Sequence, residues 1–301
     1  MTKPTASTES APVIRVQHLS RTYGRKEALT DVSLDVPRGC VFGLLGESGA
    51  GKTTLIRHLL GLMKPQEGQV RVVGHDPVDD PEIVLGSIGY LSEDRDMPRW
   101  MRLHELMRYS QGFYPAWDQN YADALVEQFN LDPGQKVRTL SRGQLAKTGL
   151  ILALAHRPEL LILDEPSSGL DVVVRQHILD AILRTVADEG RTVLFSSHLI
   201  DEVEEVADYV AIIHRGRLLL CDRLENVVRD HRKIRFEVKV QNGGPPRIDG
   251  VLHSRVSGTQ MTSVFCGDFN QLREGQESGG YQILNDAAAN LEEIFVARIS
   301  E

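Results

Sequence analysis

The sequence predicts a mixed α/β protein built on a mostly parallel β-sheet, followed by a small α+β module. Two observations predict the sheet: short, nearly continuous apolar runs such as Cys40 to Leu45, and helical stretches that alternate with them. A change of pattern near residue 229, where polar and apolar residues begin to alternate, predicts the separate module. The length of 301 residues suits one large domain with a smaller one.

Composition narrows the function classes. Charged residues make up 25% and the hydrophobic set 41%, which favours an ordinary globular chain. The formal net charge of −8 disfavours a general nucleic-acid binder, because such a surface repels phosphate backbones. Cys40, Cys221 and Cys266 are far apart and lack CxxC spacing, which indicates neither a disulfide framework nor a zinc site. We therefore expect a reducing, cytosolic compartment and no nucleic-acid partner.

The N-terminal residues 1–12 mix Ser, Thr, Pro and charge without an apolar core, so we expect a floppy leader rather than a signal peptide. No apolar run approaches the roughly 18 residues of a membrane span; the run from Leu150 to Ala155 is typical. We expect any membrane association to come through a partner.

Short strands and helices can be placed along residues 13–228. Leu55, Ile56, Leu59 and Leu60 share one face of a helix that Gly61 can end. The predicted strands are Val13–Leu19, Cys40–Leu45, Gln69–Val73, Ile88–Leu91, Leu160–Leu163, Thr192–Phe195, Tyr209–Ile213 and Leu218–Cys221.

Two regions depart from this pattern. Residues 93–158 predict a helical insertion, with Tyr121, Leu125 and Phe129 at helical spacing and a helix from Leu145 to Ala155. Residues 229–301 predict the small module, which begins with an alternating strand at 234–240, breaks at 243–246, and ends in a helix.

A glycine-rich loop follows the Cys40–Leu45 strand and precedes the first helix, which is the context that a phosphate-binding loop requires. Glycines let backbone N–H groups close around phosphate oxygens, and the helix N-terminus adds about half a positive charge. Lys52 would contact the β- and γ-phosphates, and the Thr53 hydroxyl suits a magnesium ion. The loop consists of Gly46, Glu47, Ser48, Gly49, Ala50, Gly51, Lys52, Thr53 and Thr54.

Two carboxylates, Asp164 and Glu165, end the apolar strand that starts at Leu160. Asp164 can hold magnesium through water, and Glu165 can orient or deprotonate an attacking water. A solvated pair of acids at a strand end is the structural alternative, which the nearby phosphate loop disfavours.

Ser141 opens the helix that runs to Ala155, in the segment LSRGQ. This helix start can form a second anion site, or Ser141 can be an ordinary N-cap, since serine is among the best N-caps.

With these motifs together, the chain resembles the ATP-binding subunit of an ABC transporter. GESGAGKTT, LSRGQ, LLILDEP, SSGLD and SSH occur in the family's order, and the match spans about Val13 to Arg223. The resemblance implies a P-loop NTPase core with a mostly parallel sheet, an antiparallel β subdomain and a helical insertion. It implies ATP and Mg²⁺ as ligands, and a head-to-tail dimer of two identical or related ATP-binding subunits that shares two composite sites. A separate integral membrane permease would then place the protein at the cytoplasmic face of the cell membrane.

The resemblance also assigns roles to single residues. Ser141 and Gly143 would contact the ATP held by the other subunit, and His198 would touch the γ-phosphate. Asp171, in SSGLD, would communicate across the dimer, or cap a helix. Tyr23 would stack on adenine, or be a half-buried strand aromatic. Lys52, Glu165 and His198 are thus the predicted catalytic residues.

Two positions depart from the family pattern. Glu93 follows the Ile88–Leu91 strand where the family usually has Gln, so we assign it to the metal, together with Thr53 and Asp164. Arg142 replaces the usual signature glycine; it would lie near the partner's phosphates or point to solvent.

The direction of transport rests on weaker similarities. The tail NLEEIFVARI resembles exporter-type subunits, as does the segment from Gly112 to Asp118. Trp100, Phe113, Tyr114 and Trp117 lie where the family docks its membrane partner, although such residues are often core. The alternative is a soluble ABC-type ATPase acting on nucleic acid or ribosomes, which usually joins two cassettes in one chain.

Overall fold

The computed structural model describes residues 11–187, 190–238, 246–276 and 280–300. It divides into two compact units between Leu218 and Leu219. This division lies ten residues before the boundary at 228 that the sequence predicts. No helix in the described part of the chain is long and apolar enough to cross a membrane. Residues 1–10 of the predicted leader lie outside the described residues.

The first unit contains most of the strands and helices. Its strands are β1 (Ile14–Tyr23), β2 (Lys26–Val36), β3 (Val41–Leu45), β4 (Glu67–Val72), β5 (Ile88–Leu91), β6 (Leu160–Asp164), β7 (Thr192–Ser197), β8 (Tyr209–His214) and β9 (Arg217–Arg223), within which the division falls. Its helices are α1 (Lys52–Leu59), α2 (Pro81–Ser87), α3 (Leu103–Gln111), α4 (Gln119–Gln128), α5 (Arg142–Leu154), α6 (Val172–Ala187) and α7 (Ile200–Val206).

The central sheet has six strands in the order β5-β6-β7-β3-β8-β9. The pairs β5–β6, β6–β7, β3–β7 and β3–β8 are all parallel, which confirms the mostly parallel sheet. In this register Asp164 lies opposite Ser196, and Leu45 lies opposite Ser197. The carboxyl ends of three neighbouring strands therefore meet at one edge, where ligands of such sheets bind.

The buried strands explain their apolar sequences. Every residue of β3 and β6 is buried, because helices cover a parallel sheet on both faces. Leu55, Ile56 and Leu59 of α1 are 0% exposed and belong to this core, as their helical spacing predicts. Burying each such side chain contributes about 1.5–3 kcal/mol.

A second, three-stranded antiparallel sheet has the order β2-β1-β4. It corresponds to the antiparallel β subdomain that the family resemblance implies. Its strand β2 was not identified from the sequence, and β1 continues to Tyr23 at one end of the sheet.

The segment between β5 and β6 is helical, in agreement with the predicted insertion. It carries α3, α4, a 3₁₀ turn at Val137–Thr139, and α5, which ends before Pro158.

The second unit contains helix α8 (Leu224–Asp230) and a four-stranded antiparallel sheet. The strands are β10 (His231–Val238), β11 (Val251–Ser257), β12 (Gln260–Cys266) and β13 (Tyr281–Ala288), in the order β11-β12-β10-β13. Helices α9 (Phe269–Glu274) and α10 (Leu291–Ile299) complete it. The β10 alternation buries Ile234, Phe236 and Val238. The predicted strand residue Val240 and residues 243–245 of the predicted break lie outside the described residues.

Candidate active site

A cavity of about 350 Å³ opens where the glycine-rich loop leaves β3. It brings together residues that lie far apart in the sequence, from Tyr23 to His198. Ten of the predicted site residues line it: Tyr23, Ser48, Gly49, Gly51, Lys52, Thr53, Thr54, Glu93, Glu165 and His198. Lys26 and Ala28 of β2 also line the cavity, although the sequence did not single them out.

The loop conformation depends on glycine at position 51. Gly51 is the N-cap of α1 and has φ 118°, a left-handed value that favours glycine. A Cβ atom there would lie 2.7 Å from the carbonyl oxygen of Ala28. The sequence thus lets the backbone turn sharply into α1 and places the positive end of that helix at the cavity.

Lys52 is almost completely buried, and its ammonium group has three acceptors. Nζ donates to the carbonyl oxygens of Gly46 at 2.6 Å and Glu47 at 3.2 Å, and pairs with Glu165 Oε1 at 2.9 Å. Three acceptors match the three N–H bonds of an ammonium group. The position of the charge at the cavity is therefore fixed by the loop itself.

Gly46, Glu47 and Ala50 belong to the loop but do not line the cavity. Glu47 Oε2 lies 3.4 Å from Nδ1 of His214, at the end of β8. Gly46 and Glu47 contribute through their carbonyl oxygens, which accept from Lys52, and the carbonyl oxygen of Ala50 accepts the N–H of Gly216.

The two carboxylates at the end of β6 have different surroundings. Glu165 has φ 48°, an uncommon value for a residue with a side chain, and it directs its carboxylate to the cavity. Asp164 is 1% exposed, and its Oδ1 accepts from the Ser196 hydroxyl at 2.7 Å. The same hydroxyl oxygen accepts the backbone N–H of Glu165 at 3.0 Å. Ser196 therefore holds the strand end that carries both acids.

Asp164 also acts on a neighbouring phenol. Burial, and after it the negative charge of Asp164, raise the pKa of Tyr90 to about 12. Tyr90 thus stays neutral beside the acidic strand end throughout the physiological range.

His198 follows β7 and contacts Glu165. Its Nδ1 lies 2.6 Å from Glu165 Oε2, and because a carboxylate only accepts, Nδ1 carries the proton. Glu165 thus bridges the two other predicted catalytic residues, Lys52 and His198.

A buried group next to His198 fixes its backbone. The Ser197 hydroxyl donates to Glu202 Oε2 at 2.8 Å, and its oxygen accepts the N–H of Leu199 at 2.9 Å. Glu202 is 1% exposed, and its Oε1 lies 3.4 Å from Nε of Arg175 in α6. The start of α7 is therefore held against α6 and the end of β7.

Glu93 lies in the turn after β5 and lines the cavity together with Thr53; its role as a metal ligand stays a prediction. Arg95 lies two residues further along the chain, and the sequence analysis assigned it no role. Its Nη2 donates to the carbonyl oxygens of Pro166 at 2.9 Å and Ser168 at 3.1 Å, in the segment directly after Glu165. Burial lowers the pKa of Arg95, which nevertheless remains charged because guanidinium pKa values are so high.

Tyr23 is 41% exposed at the rim of the cavity. Its hydroxyl donates to the sulfur of Met63 at 3.0 Å, and Arg21 lies over one face of the ring, 5.2 Å from the centroid. The ring is therefore held in place and available for stacking.

Ser141, Gly143 and Asp171 do not line the cavity. Ser141 is the N-cap of α5: its Oγ accepts the N–H of Gln144 at 3.2 Å. Asp171 Oδ1 accepts the N–H of Val174 at 3.0 Å at the start of α6. The capping interactions that the sequence left open for these two residues are thus present.

Gly143 and Arg142 contact the α6 region of their own chain. A Cβ atom on Gly143 would lie 2.9 Å from a methyl carbon of Val174. The guanidinium of Arg142 would lie 3.3 Å from a Cβ on Gly169. The start of α5 therefore packs closely on the segment that leads into α6.

The four aromatic residues of the insertion differ in exposure. Trp100 is 73% and Phe113 64% exposed, whereas Tyr114 stacks on His156 with ring centroids 3.9 Å apart. Trp117 is partly buried and donates from Nε1 to Gln119 at 3.0 Å. Only Trp100 and Phe113 of this group present most of their surface.

Comparisons with known proteins agree with this geometry. A family model described as ABC transporter matches residues 29–168. The uncharacterized ABC transporter ATP-binding protein YdbJ of Bacillus subtilis (strain 168) is 33% identical over 232 residues, 76% of this chain and 75% of its own. The bacitracin transport ATP-binding protein BcrA of Bacillus licheniformis is 32% identical over 233 residues, 76% of each chain. A solved ATP-binding subunit of an ABC transporter has 29% identity and a TM-score of 0.67, over 72% of this chain and 92% of that one.

A phosphate loop between β3 and α1, facing two carboxylates at the end of β6, defines a P-loop ATPase. The chain belongs to the ABC transporter ATP-binding protein family. The family assignment made from the sequence motifs is confirmed.

Proposed function

We propose that this chain is the ATP-hydrolysing subunit of an ABC exporter, in which two ATP-binding subunits close around two ATP molecules. The dimer is supported by the set of residues that line the cavity. The cavity contains the phosphate loop, Glu165 and His198, but neither Ser141 nor Gly143. The signature segment at the start of α5 is exposed at Ser141. A second subunit would supply this segment to the cavity, and the two sites would be equivalent in a homodimer.

The residues of the cavity suit ATP in order from base to γ-phosphate. Tyr23 would stack on adenine, and the N–H groups from Ser48 to Thr54 would bind phosphate oxygens. In the structure, Nζ of Lys52 lies 2.9 Å from Glu165 Oε1. Because both residues line the cavity, the ammonium group of Lys52 would exchange this contact for one with phosphate. Glu165, once released, would accept a proton from the attacking water, and His198 would stabilise the charge on the transferred phosphoryl group.

The donor set suits Mg²⁺, which prefers oxygen ligands and is usually bound by one or two carboxylates together with substrate phosphates. Thr53 and Glu93 line the cavity, whereas Asp164, the residue before Glu165, is buried and does not line it. The described residues contain no cluster of three or more His, Cys, Asp or Glu side chains able to hold a metal alone. Thr53, Glu93 and Asp164 would hold the ion together with ATP, and the ion would neutralise phosphate charge.

A separate membrane subunit would use the energy, with this chain bound at the cytoplasmic face of the membrane. Two observations support this part: the relatives named above are ATP-binding proteins of ABC transporters, one of them of bacitracin transport, and the chain tail resembles exporter-type subunits. Trp100 and Phe113 are exposed in the insertion, where such a subunit would dock. No observation in the described structure favours a ribosome or nucleic-acid function.

Disulfide crosslinking tests the dimer. Ser48→Cys and Ser141→Cys are introduced together, in a parent in which Cys221 and Cys266 are replaced by Ser and the buried Cys40 is kept. We expect a crosslinked dimer with ATP and without hydrolysis, and little without nucleotide. Each single variant is the control. Absence of the crosslink in every nucleotide condition, together with normal turnover by a monomer, would contradict the proposal.

A further inference from the structure

A second cavity lies in the second unit; no residue of the phosphate loop or the signature segment lines it, and one wall belongs to the tail segment NLEEIFVARI. It has a volume of about 730 Å³, within the range of small-molecule sites. Helix α10 forms one wall, through Glu292, Glu293 and Val296. The face of the sheet formed by β10, β11 and β12 forms the other wall, and it includes Lys233, Arg235, His253, Arg255, Gln260, Thr262 and Val264.

Strand register places two arginines in one row on this face. Arg235 of β10 and Arg255 of β11 both lie opposite Thr262 of the strand between them. Because neighbouring strands are about 4.8 Å apart, the two Cα atoms are separated by about 10 Å. Long side chains on such a row can converge, and like charges so placed repel each other. The next row holds Lys233, Val264 and His253.

The acids of the cavity form no ion pair with these arginines. Glu293 pairs with Lys233 at 2.5 Å and also belongs to the capping box of α10, with Asn290. Glu292 lies in the first turn of the same helix, where a negative charge is favourable without a further partner. The side chains of Arg235 and Arg255 form no hydrogen bond or ion pair with any residue in the described part of the chain. The two guanidinium groups therefore share the cavity without a direct ion pair, and the basic residues of the lining, Lys233, Arg235 and Arg255, outnumber its acids, Glu292 and Glu293.

The rest of the wall is partly apolar and partly polar. Val264 is 8% exposed and Val296 is 36% exposed, so the cavity offers an apolar surface beside the arginine row. Thr262 and Gln260 add neutral hydrogen-bonding groups. Guanidinium groups bind carboxylate and phosphate in a bidentate manner, and valine side chains bind hydrocarbon.

We propose that this cavity binds a small organic anion, with a carboxylate or phosphate group between Arg235 and Arg255 and an apolar body against Val264 and Val296. None of its lining residues belongs to the ATP site, and its proposed chemistry is independent of the transport function. Both arginines are exposed, and the bound anion would supply the counter-charge that neither has in a direct ion pair.

The test uses the full chain with saturating ADP and Mg²⁺, so that the phosphate loop is filled before the probe is added. Phenyl phosphate and benzoate are titrated by calorimetry, with phenol as the uncharged counterpart and inorganic phosphate as the anion without an apolar body. We expect saturable binding of one phenyl phosphate or benzoate per chain, at least tenfold tighter than phenol or inorganic phosphate. Raising the salt concentration should weaken it.

Variants then locate the site. Arg235→Gln and Arg255→Gln should each weaken probe binding at least tenfold, and the matching Lys variants should lose less because they keep the charge. Arg273→Gln is the matched control: it removes an arginine of the same unit that does not line the cavity, and it should leave the affinity unchanged. Circular dichroism verifies that each variant is folded. The proposal is overturned if neither anion saturates, if phenol or inorganic phosphate binds as tightly, or if the control loses as much affinity as the two Gln variants.

Discussion

Replacing Glu165 by Gln removes one negative charge from the proposed ATP site while it keeps the shape of the side chain. In the structure this carboxylate contacts Lys52 through Oε1 at 2.9 Å and His198 through Oε2 at 2.6 Å. If Glu165 accepts the proton of the attacking water, the variant should lower kcat by about 10²- to 10⁴-fold. This loss corresponds to about 3–5 kcal/mol of activation free energy.

The same substitution should have a small effect on folding stability. The Coulomb attraction between Lys52 and Glu165 at 2.9 Å is about 6 kcal/mol at an effective dielectric constant of about 20. Desolvation of two side chains that are 6% and 9% exposed offsets most of this attraction. Gln also keeps an acceptor oxygen, and Lys52 keeps two carbonyl partners. We therefore expect the free energy of unfolding to fall by only about 1–2 kcal/mol.

Phosphate release measures kcat, equilibrium dialysis measures ATP binding, and size-exclusion chromatography with ATP measures the dimer. Glu205→Gln is the matched control, because Glu205 is an exposed acid that contacts Gln176 and does not line the cavity. The Glu165 variant should bind ATP at least as well as the wild type and remain dimeric for longer. Turnover within threefold of the wild type, with intact binding, would refute the role of Glu165 as the base.

Three further predictions concern residues around the site and in the insertion. Tyr23→Ala should raise the Kd for ATP about five- to 150-fold, because about 1–3 kcal/mol of stacking free energy is lost, whereas Tyr23→Phe should bind ATP normally. Equal Kd values for Tyr23→Ala and the wild type in a calorimetric titration would contradict the stacking role. Arg95→Gln should lower kcat severalfold at unchanged KM, because Arg95 binds the carbonyl oxygens of Pro166 and Ser168 without lining the cavity. Arg95→Lys should restore part of the rate. A change in KM alone, in steady-state ATPase assays, would contradict this role. Burial lowers the pKa of His156 from its ordinary 6.5, so its contribution to stability is complete above pH 6.5 and falls as the pH drops below it. His156→Gln should therefore reduce the fall of the free energy of unfolding at acid pH, by up to about 1.4 kcal/mol per pH unit. Urea unfolding between pH 7.5 and 5 measures this dependence. An unchanged dependence on pH would show that other groups cause the loss of stability in acid.

Most strands of the first unit, β2 excepted, and most site residues were predictable because their signals are local. Periodicity identified β3, β6 and the helix α1, and the spacing of the loop identified Lys52 and Thr53. Helix α6 was foreseen only through the possible cap at Asp171, because it begins with three valines, which favour strands in isolation. The burial of Ile178 and Ile182 against the core stabilises the helix instead.

The supporting contacts of the site were not predictable, because they join distant segments. Ser196 reaches the end of β6 only through the β6–β7 register. Arg95 reaches the segment after Glu165 across more than 70 residues. The serine pair before His198 was noted in the sequence only as flanking residues, and nothing local indicates that Ser197 contacts Glu202. Two serines at the end of a buried strand are the local signal that could have directed attention to Ser196 and Ser197, whereas Arg95, in the loop after β5, has no such signal.

The family resemblance and the structure suggest two different reasons why residue 143 is a glycine. The resemblance explains it by close approach to the partner's ATP. The structure shows a second reason, since a Cβ atom at Gly143 would lie 2.9 and 3.2 Å from the two methyl carbons of Val174 in the same chain. The stiff β-branched side chain of Val174 has little freedom to move away.

A pair of substitutions separates the two reasons. Gly143→Ala alone should lower both the unfolding temperature and ATPase activity. Val174→Ala removes the methyl groups that the new Cβ meets, so in the double variant the stability should return to that of Val174→Ala alone. If ATPase activity returns with it, the glycine serves packing between α5 and α6. If stability returns while activity and the ATP-dependent dimer stay lost, the missing Cβ serves the approach to the second subunit's nucleotide. No return of stability would show that the contact with Val174 is not what requires glycine at this position.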